Sequence, residues 1–238
     1  MKLVTVGDVM LDVIADRLPG AGQRAHGSVR LHAGGSAVNA ALAARELGAE
    51  AQLIGRVGDD PAGELIATTL AGHGVDAQLA RDGELPTGTA IALGDAVLAD
   101  RGANARLSPD DLPPLRGDAL LVSGFALFQD GSREAAEAAL ARFEGQWTAV
   151  DLASPRLARL DFDARVVFAT QAEAQAVPGL EERFELVCLK DGYGVERTAP
   201  FGAGDTFAAA FLVALADGAD VEAARERARE VAARAASS

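Results

Sequence analysis

Apolar residues fall into short strand-like runs that alternate with longer helical patterns along almost the whole chain. Leu3 to Val6 is a strand that ends at Gly7-Asp8, with Leu11-Asp12 just beyond it. Ligands sit at strand ends in open α/β sheets, so Asp8 and Asp12 become site candidates at once. Two alternating segments, Val13 to Leu18 and Ser28 to His32, flank Pro19-Gly20-Ala21-Gly22 and suit lid strands better than core. Gly34-Gly35 then precedes a helical pattern from Ala40 to Leu47, stopped by Gly48. Paired glycines let backbone approach a ligand closely, and Asn39 lies one turn into that helix. Taken alone, Asn39 fits a helix surface better than a ligand contact.

Gln52 to Ile54 is a strand leading into Gly55-Arg56-Val57-Gly58-Asp59-Asp60-Pro61, and Pro61 begins a helix that runs to about Gly72. Val75 to Ala80 and Thr89 to Leu93 are extended, the latter pairing with Ala96 to Ala99 across a Gly94-Asp95 turn. Arg101-Gly102-Ala103-Asn104 follows as a polar turn. Leu120 to Gly124, Trp147 to Leu152, Arg165 to Ala169 and Glu185 to Lys190 are further strands, with a helix from Arg133 to Phe143. Ala203 to Ala216 and Val221 to Ala235 are helical. Strands alternating with helices predict an α/β fold with a mainly parallel central sheet and helices on both faces. A length of 238 residues suits one such domain, 1–238, with a small β lid from 13–33 and 89–100.

One stretch carries chemistry more openly than the others. Pro200-Phe201-Gly202-Ala203-Gly204-Asp205-Thr206-Phe207 is a Gly-rich turn that opens an apolar helix. Such a turn leaves several N–H groups without intrahelical partners, at the positive end of the helix dipole. That suits a phosphate, or negative charge developing on one. Asp205, in the first helical turn, can accept a proton from an attacking hydroxyl. The same residues equally suit a plain glycine turn with a capping aspartate.

Composition narrows the partners. Hydrophobic residues make up 49% of the chain, as in a folded globular protein. A net charge of −13 argues against nucleic acid or an anionic membrane as partner. No apolar run reaches membrane-spanning length, and the first one meets Gly7-Asp8 too soon for a signal peptide, so the expected location is the cytoplasm. The lone Cys188 sits in an apolar run and suits the core. His26, His32 and His73 are too scattered for a metal site.

Together the pieces resemble the ribokinase-like (PfkB) carbohydrate kinase family. Gly34-Gly35-Ser36-Ala37-Val38-Asn39-Ala40 looks like its N-terminal signature, and Gly202-Ala203-Gly204-Asp205-Thr206-Phe207 like its C-terminal one. Gly58-Asp59-Asp60-Pro61-Ala62-Gly63, Thr87-Gly88-Thr89, Asp100-Arg101-Gly102-Ala103-Asn104 and Val122-Ser123-Gly124 fall between them in the family's order. The resemblance implies transfer of the ATP γ-phosphoryl group to a hydroxyl, usually a hydroxymethyl, of a sugar, sugar acid or similar small molecule. It implies Asp205 as base and the N–H groups of Gly202, Ala203 and Gly204 as anion hole. By the same resemblance Asp12, Gly34, Gly35 and Asn39 bind sugar hydroxyls, with Arg101 and Asn104 adding contacts from the lid side. Thr170, Lys190, Gly192 and Gly194 fall to the nucleotide, and Glu173 to Mg²⁺ through water. A homodimer through the lid is also implied.

The chain departs from that pattern in three places. Where the family commonly has an Asn and a Glu three residues apart, this chain has Thr170-Gln171-Ala172-Glu173. Only Val195 to Phe201 separate Gly194 from Gly202, so the usual hairpin beside the adenine pocket is missing. The second lid hairpin and the C-terminal part are short. These departures keep two other readings open: a nucleoside kinase of the same superfamily, or a catalytically weak sensor that binds sugar or nucleotide.

Overall fold

The computed structural model describes residues 1–17, 20, 22–93, 96–190 and 202–235. Its strands in chain order are β1 (Lys2–Val6), β2 (Met10–Ala15), β3 (Val29–Gly34), β4 (Glu50–Gly58), β5 (Asp76–Asp82), β6 (Gly88–Leu93), β7 (Ala96–Asp100), β8 (Ala119–Ser123), β9 (Trp147–Asp151), β10 (Val166–Ala169) and β11 (Leu186–Leu189). Its α-helices are α1 (Ser36–Glu46), α2 (Pro61–Gly72), α3 (Gly124–Leu127), α4 (Arg133–Arg142), α5 (Gln171–Ala176), α6 (Leu180–Arg183), α7 (Ala203–Ala216) and α8 (Val221–Ala235).

Seven strands form a sheet in the order β11-β10-β9-β8-β1-β4-β5, with every adjacent pair parallel. Parallel strands buried on both faces need apolar residues at successive positions, which these short runs supply. Alternate residues therefore feed two cores. Leu3, Leu53, Leu121 and Phe168 pack under α1, α2, α7 and α8, whereas Val4, Ile54, Leu120 and Val150 pack under α3 and α4. Phe168 meets the rings of Phe207 and Phe211 edge-on, at 6.3 and 5.5 Å between centroids. These contacts seat the central helix α7 on the sheet. Alanines on α1 and α7 keep the two helices close, so that both helix starts open at the same end of the sheet.

The remaining strands make a separate four-stranded sheet, β3-β2-β6-β7, in which only the β2–β6 pair is parallel. Residues in register across strands share a face. His32, Asp12, Ala90 and Ala99 form one cross-strand row, and Leu31, Val13, Ile91 and Leu98 form a row on the opposite face.

Two of the linking motifs turn out to hold one another. Asp60 caps α2 through the Gly63 N–H at 2.8 Å, and it accepts the N–H and hydroxyl of Thr87, each at 2.7 Å. That clamp ties the start of α2 to the approach of β6.

The architecture matches the sequence expectation, with local differences. Strand β4 runs on through Gly58 and does not stop at Ile54, because Gly55 to Gly58 continue the pairing with β5. A Cβ on Gly55 would collide with Val9, so this glycine permits close packing and is not a turn. The expected turn at Arg101 to Asn104 is part of a 3₁₀ helix, Gly102–Arg106. The Gly94-Asp95 turn lies outside the described residues, as do Leu18, Pro19 and Ala21 of the segment 13–33.

Candidate active site

Strands β1, β8, β9 and β11 end on one side of the sheet, where α1 and α7 begin. Between these ends and the small sheet lies a cavity of about 500 Å³. Asp8, Asp12, Gly35, Ser36, Asn39, Arg101, Asp151, Lys190, Gly202, Gly204 and Asp205 all line it. The glycine turns that open α1 and α7 thus face a single cleft.

Both turns need glycine. Gly35 has φ 93°, and a Cβ there would strike the Asp8 carbonyl. Gly202 has φ 95°, and its Cβ would come within 2.9 Å of Asn39 Cγ. Gly34 lies against the Asp12 carboxylate and leaves no room for a side chain. The contribution of Gly34 is clearance for Asp12.

Asp205 stands in the first turn of α7. Asn39 Nδ2 donates to its Oδ2 at 2.9 Å, and the Ser36 hydroxyl also bonds the carboxyl. Burial, and then the nearby Asp151 carboxylate, push Asp205 up to about 7, against the hydrogen bonds and the Lys190 charge that favour the anion. A carboxylate near neutrality suits a general base. Asn39 is therefore a partner of the acid as well as a wall of the cavity.

Lys190, at the end of β11, bonds Asp151 Oδ1 at 2.5 Å and lies beside Gly204. Burial disfavours its charge, but the carboxylates of Asp151, Glu173 and Asp205 outweigh that and hold the ammonium above the ordinary lysine range. A fixed cation next to the glycine turn suits a phosphoryl group. The other oxygen of Asp151, Oδ2, is buried and has no partner. The loop after β9 is bent to fit: Ala153 has φ 65°, unusual for a residue with a side chain, and donates its N–H to Asp151 Oδ1 at 3.3 Å.

Asp12 is 4% exposed and has no hydrogen-bond partner among the described residues. Burial pushes it up to about 6. Arg101 reaches the cavity from the 3₁₀ side, bonding Asp8 Oδ1 at 3.1 Å and Ser132 Oγ at 2.7 Å, while its Nε is buried without a partner.

Of the expected site residues, Gly34 and Ala203 do not line the cavity, and three others lie elsewhere. Asn104 is 1% exposed, and its amide is used on backbone: Oδ1 accepts from Val9 N at 2.8 Å, and Nδ2 donates to Val9 O and Arg101 O. It fixes the β1–β2 connection that carries Asp8 and Asp12, and it does not line the cavity. Thr170 and Glu173 cap α5 reciprocally, the Thr170 N–H donating to Glu173 Oε2 at 2.7 Å and the Glu173 N–H to Thr170 Oγ1 at 3.2 Å. Gly192 and Gly194 lie outside the described residues. Asp151, Ser36, Phe125, Gln129 and Leu157 line the cavity without having been singled out by their sequence context.

Residues 1–191 match the pfkB family of carbohydrate kinases. The chain belongs to that family. Its sequence is similar to an ATP-dependent ribose-1-phosphate kinase of Halopiger xanaduensis, at 30% identity over 95% of this chain and 88% of the relative. It is also similar to a ribokinase of Bacillus subtilis, at 26% identity over 94% and 88%. Among solved structures, an adenosine kinase from Sinorhizobium meliloti superposes with a TM-score of 0.81 at 20% identity, covering 100% of this chain and 94% of that one. The aminoimidazole riboside kinase of Salmonella enterica superposes at 0.80 with 21% identity and the same coverage. These likenesses establish the ribokinase-like fold for this pfkB-family kinase. Among its described residues, no helix is long and apolar enough to cross a membrane.

Proposed function

We propose that this cavity is where the γ-phosphoryl group of ATP passes to a hydroxyl, most simply a hydroxymethyl, of a sugar-like alcohol. The observation that carries this reading is the placing of Asp205. It is an acid near neutrality in the first turn of α7, oriented by Asn39, in a cleft shared with Lys190 and the glycine turn. Asp205 takes the hydroxyl proton, and the free N–H groups of the first turn of α7 stabilise charge on the transferring group. Lys190 neutralises part of that charge. Asp12, buried and unpartnered, accepts from sugar hydroxyls, and Gly35 and Arg101 complete the polar wall.

Magnesium fits this site as a companion of the nucleotide. Among the described residues no three acidic, histidine or cysteine side chains are grouped to hold a metal. One oxygen of Glu173 is already taken by the Thr170 N–H. Glu173 would therefore hold Mg²⁺ only through water, and the metal would supply charge neutralisation of the phosphates. A solved relative from E. coli is described in complex with ATP and Mg²⁺.

The small sheet acts as the lid of a single domain, excluding water during transfer. Its face turned from the cavity carries the apolar row Leu31, Val13, Ile91 and Leu98, with Leu31 54% and Leu98 61% exposed. That face suits a second copy of the chain, giving a homodimer through the lid in the cytoplasm. Mixing the purified protein with sugars, ATP and Mg²⁺ and following ADP tests the activity. No ADP with any acceptor would remove the kinase reading.

A further inference from the structure

Asp205 is held from α1 by Asn39, and the other charged group at the start of α7 has a holder of its own. Lys190 follows β11, and its backbone N–H still pairs with Ala169 O at 2.8 Å. From there a flexible stem carries the ammonium to α7, where a Cβ on Gly204 would lie 3.4 Å from Nζ. Such a stem has many rotamers, and its ammonium can donate in three directions. Asp151 Oδ1 selects one of them, 2.5 Å from Nζ, in a pair with both members buried.

Asp151 is itself fixed from three sides. Its backbone lies in register between Ser123 of β8 and Phe168 of β10, inside the sheet and not at an edge. The chain then bends at Ala153, φ 65°, and returns the Ala153 N–H to the same oxygen, Oδ1, at 3.3 Å. Oδ1 thus receives two donors, whereas the buried Oδ2 receives none. A carboxylate placed here does not suit direct contact with phosphate, because two anions repel. Its charge is set against that of Lys190 instead. Burial disfavours the ammonium's charge, and the carboxylates of Asp151, Glu173 and Asp205 restore it.

Resting on the kinase reading, we infer that Asp151 is a positioning residue of the phosphoryl transfer, acting through Lys190. It aims the ammonium along the first turn of α7, and it shares the ammonium's charge, so that Lys190 does not clamp the donor at rest. Lys190 then interacts more strongly as charge develops on the transferring group. Attraction that is stronger in the transition state than at rest raises kcat, and attraction equal in both does not. The acceptor O–H gives its proton to Asp205, its oxygen bonds the γ-phosphorus, and ADP leaves with the electron pair of the broken P–O bond. No proton passes through Lys190 or Asp151.

The test is a double-mutant cycle on the full chain, with Asp151→Asn, Lys190→Met and both together. ADP release is followed with ATP, Mg²⁺ and ribose or fructose, whichever the wild type turns over faster. The plateau of each variant's pH profile gives kcat, free of any shift in Asp205. Calorimetry gives Kd for AMP-PNP with Mg²⁺. Asp151→Asn should lower kcat by about tenfold, the scale of one hydrogen bond to a charged group, while binding AMP-PNP more tightly than the wild type. A merely structural role would weaken both. In the Lys190→Met background the same change should lower kcat no further, because no ammonium is left to aim. The double variant removes both charges of the pair and should recover most of the stability that Lys190→Met loses. Equal losses of kcat in the two backgrounds, wild-type kcat in Asp151→Asn, or weaker AMP-PNP binding to it overturns the inference. If the wild type forms no ADP with either sugar, the kinase reading is what fails, and AMP-PNP alone judges the pair. Tighter binding to Asp151→Asn then upholds the sharing of charge, and weaker or equal binding removes it.

Discussion

The amide of Asn39, in the first turn of α1, donates to Asp205 Oδ2 at 2.9 Å across 166 residues of sequence. In the proposed reaction this hydrogen bond orients the acid toward a substrate hydroxyl. Removing it frees the carboxylate to rotate and removes a group that favours its charged form. Asn39→Ala should therefore act on kcat, by roughly tenfold to a hundredfold, since a hydrogen bond to a charged group contributes about 1.5–3 kcal/mol. A KM effect with unaltered kcat would make Asn39 a sugar contact alone.

The pH profile offers a sharper view of the same acid. Asp205 must be ionised to accept a proton, and burial holds it up to about 7. The acidic limb of kcat/KM should fall near pH 7 in the wild type. Asp151→Asn removes a neighbouring negative charge and leaves Lys190 unopposed, so the limb should move to lower pH. A limb that stays in place in this variant would show that Asp151 does not act on Asp205.

Asp205→Asn should cost several orders of magnitude in kcat while the protein gains stability. The sign follows from the raised pKa of Asp205. The folded state favours the protonated acid, so its contribution is fully present below the unfolded value of 3.8 and is lost as pH rises through about 7. Replacement by a neutral isostere removes that loss. Thermal melts should show Asp205→Asn above the wild type at pH 8, with the gap narrowing toward pH 4; a gap that does not depend on pH would contradict the shifted acid.

Lys190→Met should be the least stable of the site variants. It leaves the Asp151 carboxylate, 4% exposed, with no cation beside it. Breaking a buried pair in this way costs roughly 3–5 kcal/mol. The variant should also move the acidic limb of the pH profile upward, because the Lys190 charge favours ionised Asp205. Urea melts within 1 kcal/mol of the wild type, about the scale of an exposed pair, would show that the pair is not effectively buried.

Asn104→Ala separates support from contact. Its amide bonds both backbone groups of Val9, so the variant leaves a buried N–H and C=O without partners, at about 1–3 kcal/mol each. Stability should fall, and KM for the acceptor should rise only as far as Asp8 and Asp12 shift. A variant as stable as the wild type would show that the amide does not support the β1–β2 connection.

Much of the fold was legible because parallel strands buried on both faces leave short apolar runs, and because Pro61 and Gly48 mark helix ends chemically. In the site, Gly35, Asp12, Gly202, Gly204 and Asp205 were legible from glycine placement and strand ends, and Arg101 from the family resemblance, and all reach the cavity. Asp151 carried the same signal as Asp8, an acid at the end of a buried strand, but no motif drew notice to it. Thr170-Gln171-Ala172-Glu173 spells a capping box, a local reason for both residues that needs no nucleotide. Asn104 differs in kind: only its partner Val9, far off in sequence, shows what its amide is for. Phe125 and Leu157 sit in irregular or very short segments, where periodicity says nothing about direction.

Asp8, Asp151 and Lys190 each hang from the tip of a different rod in one stacked parallel array, and Asp205 rides on a helix wedged beneath it. Their mutual spacing is thus inherited from the pitch and twist of that array and owes little to the loops that overhang them. Loop remodelling can reshape who is admitted to the cleft while the reacting groups keep their distances. In such a molecule, changes of clientele and changes of chemistry are carried by different parts of the chain.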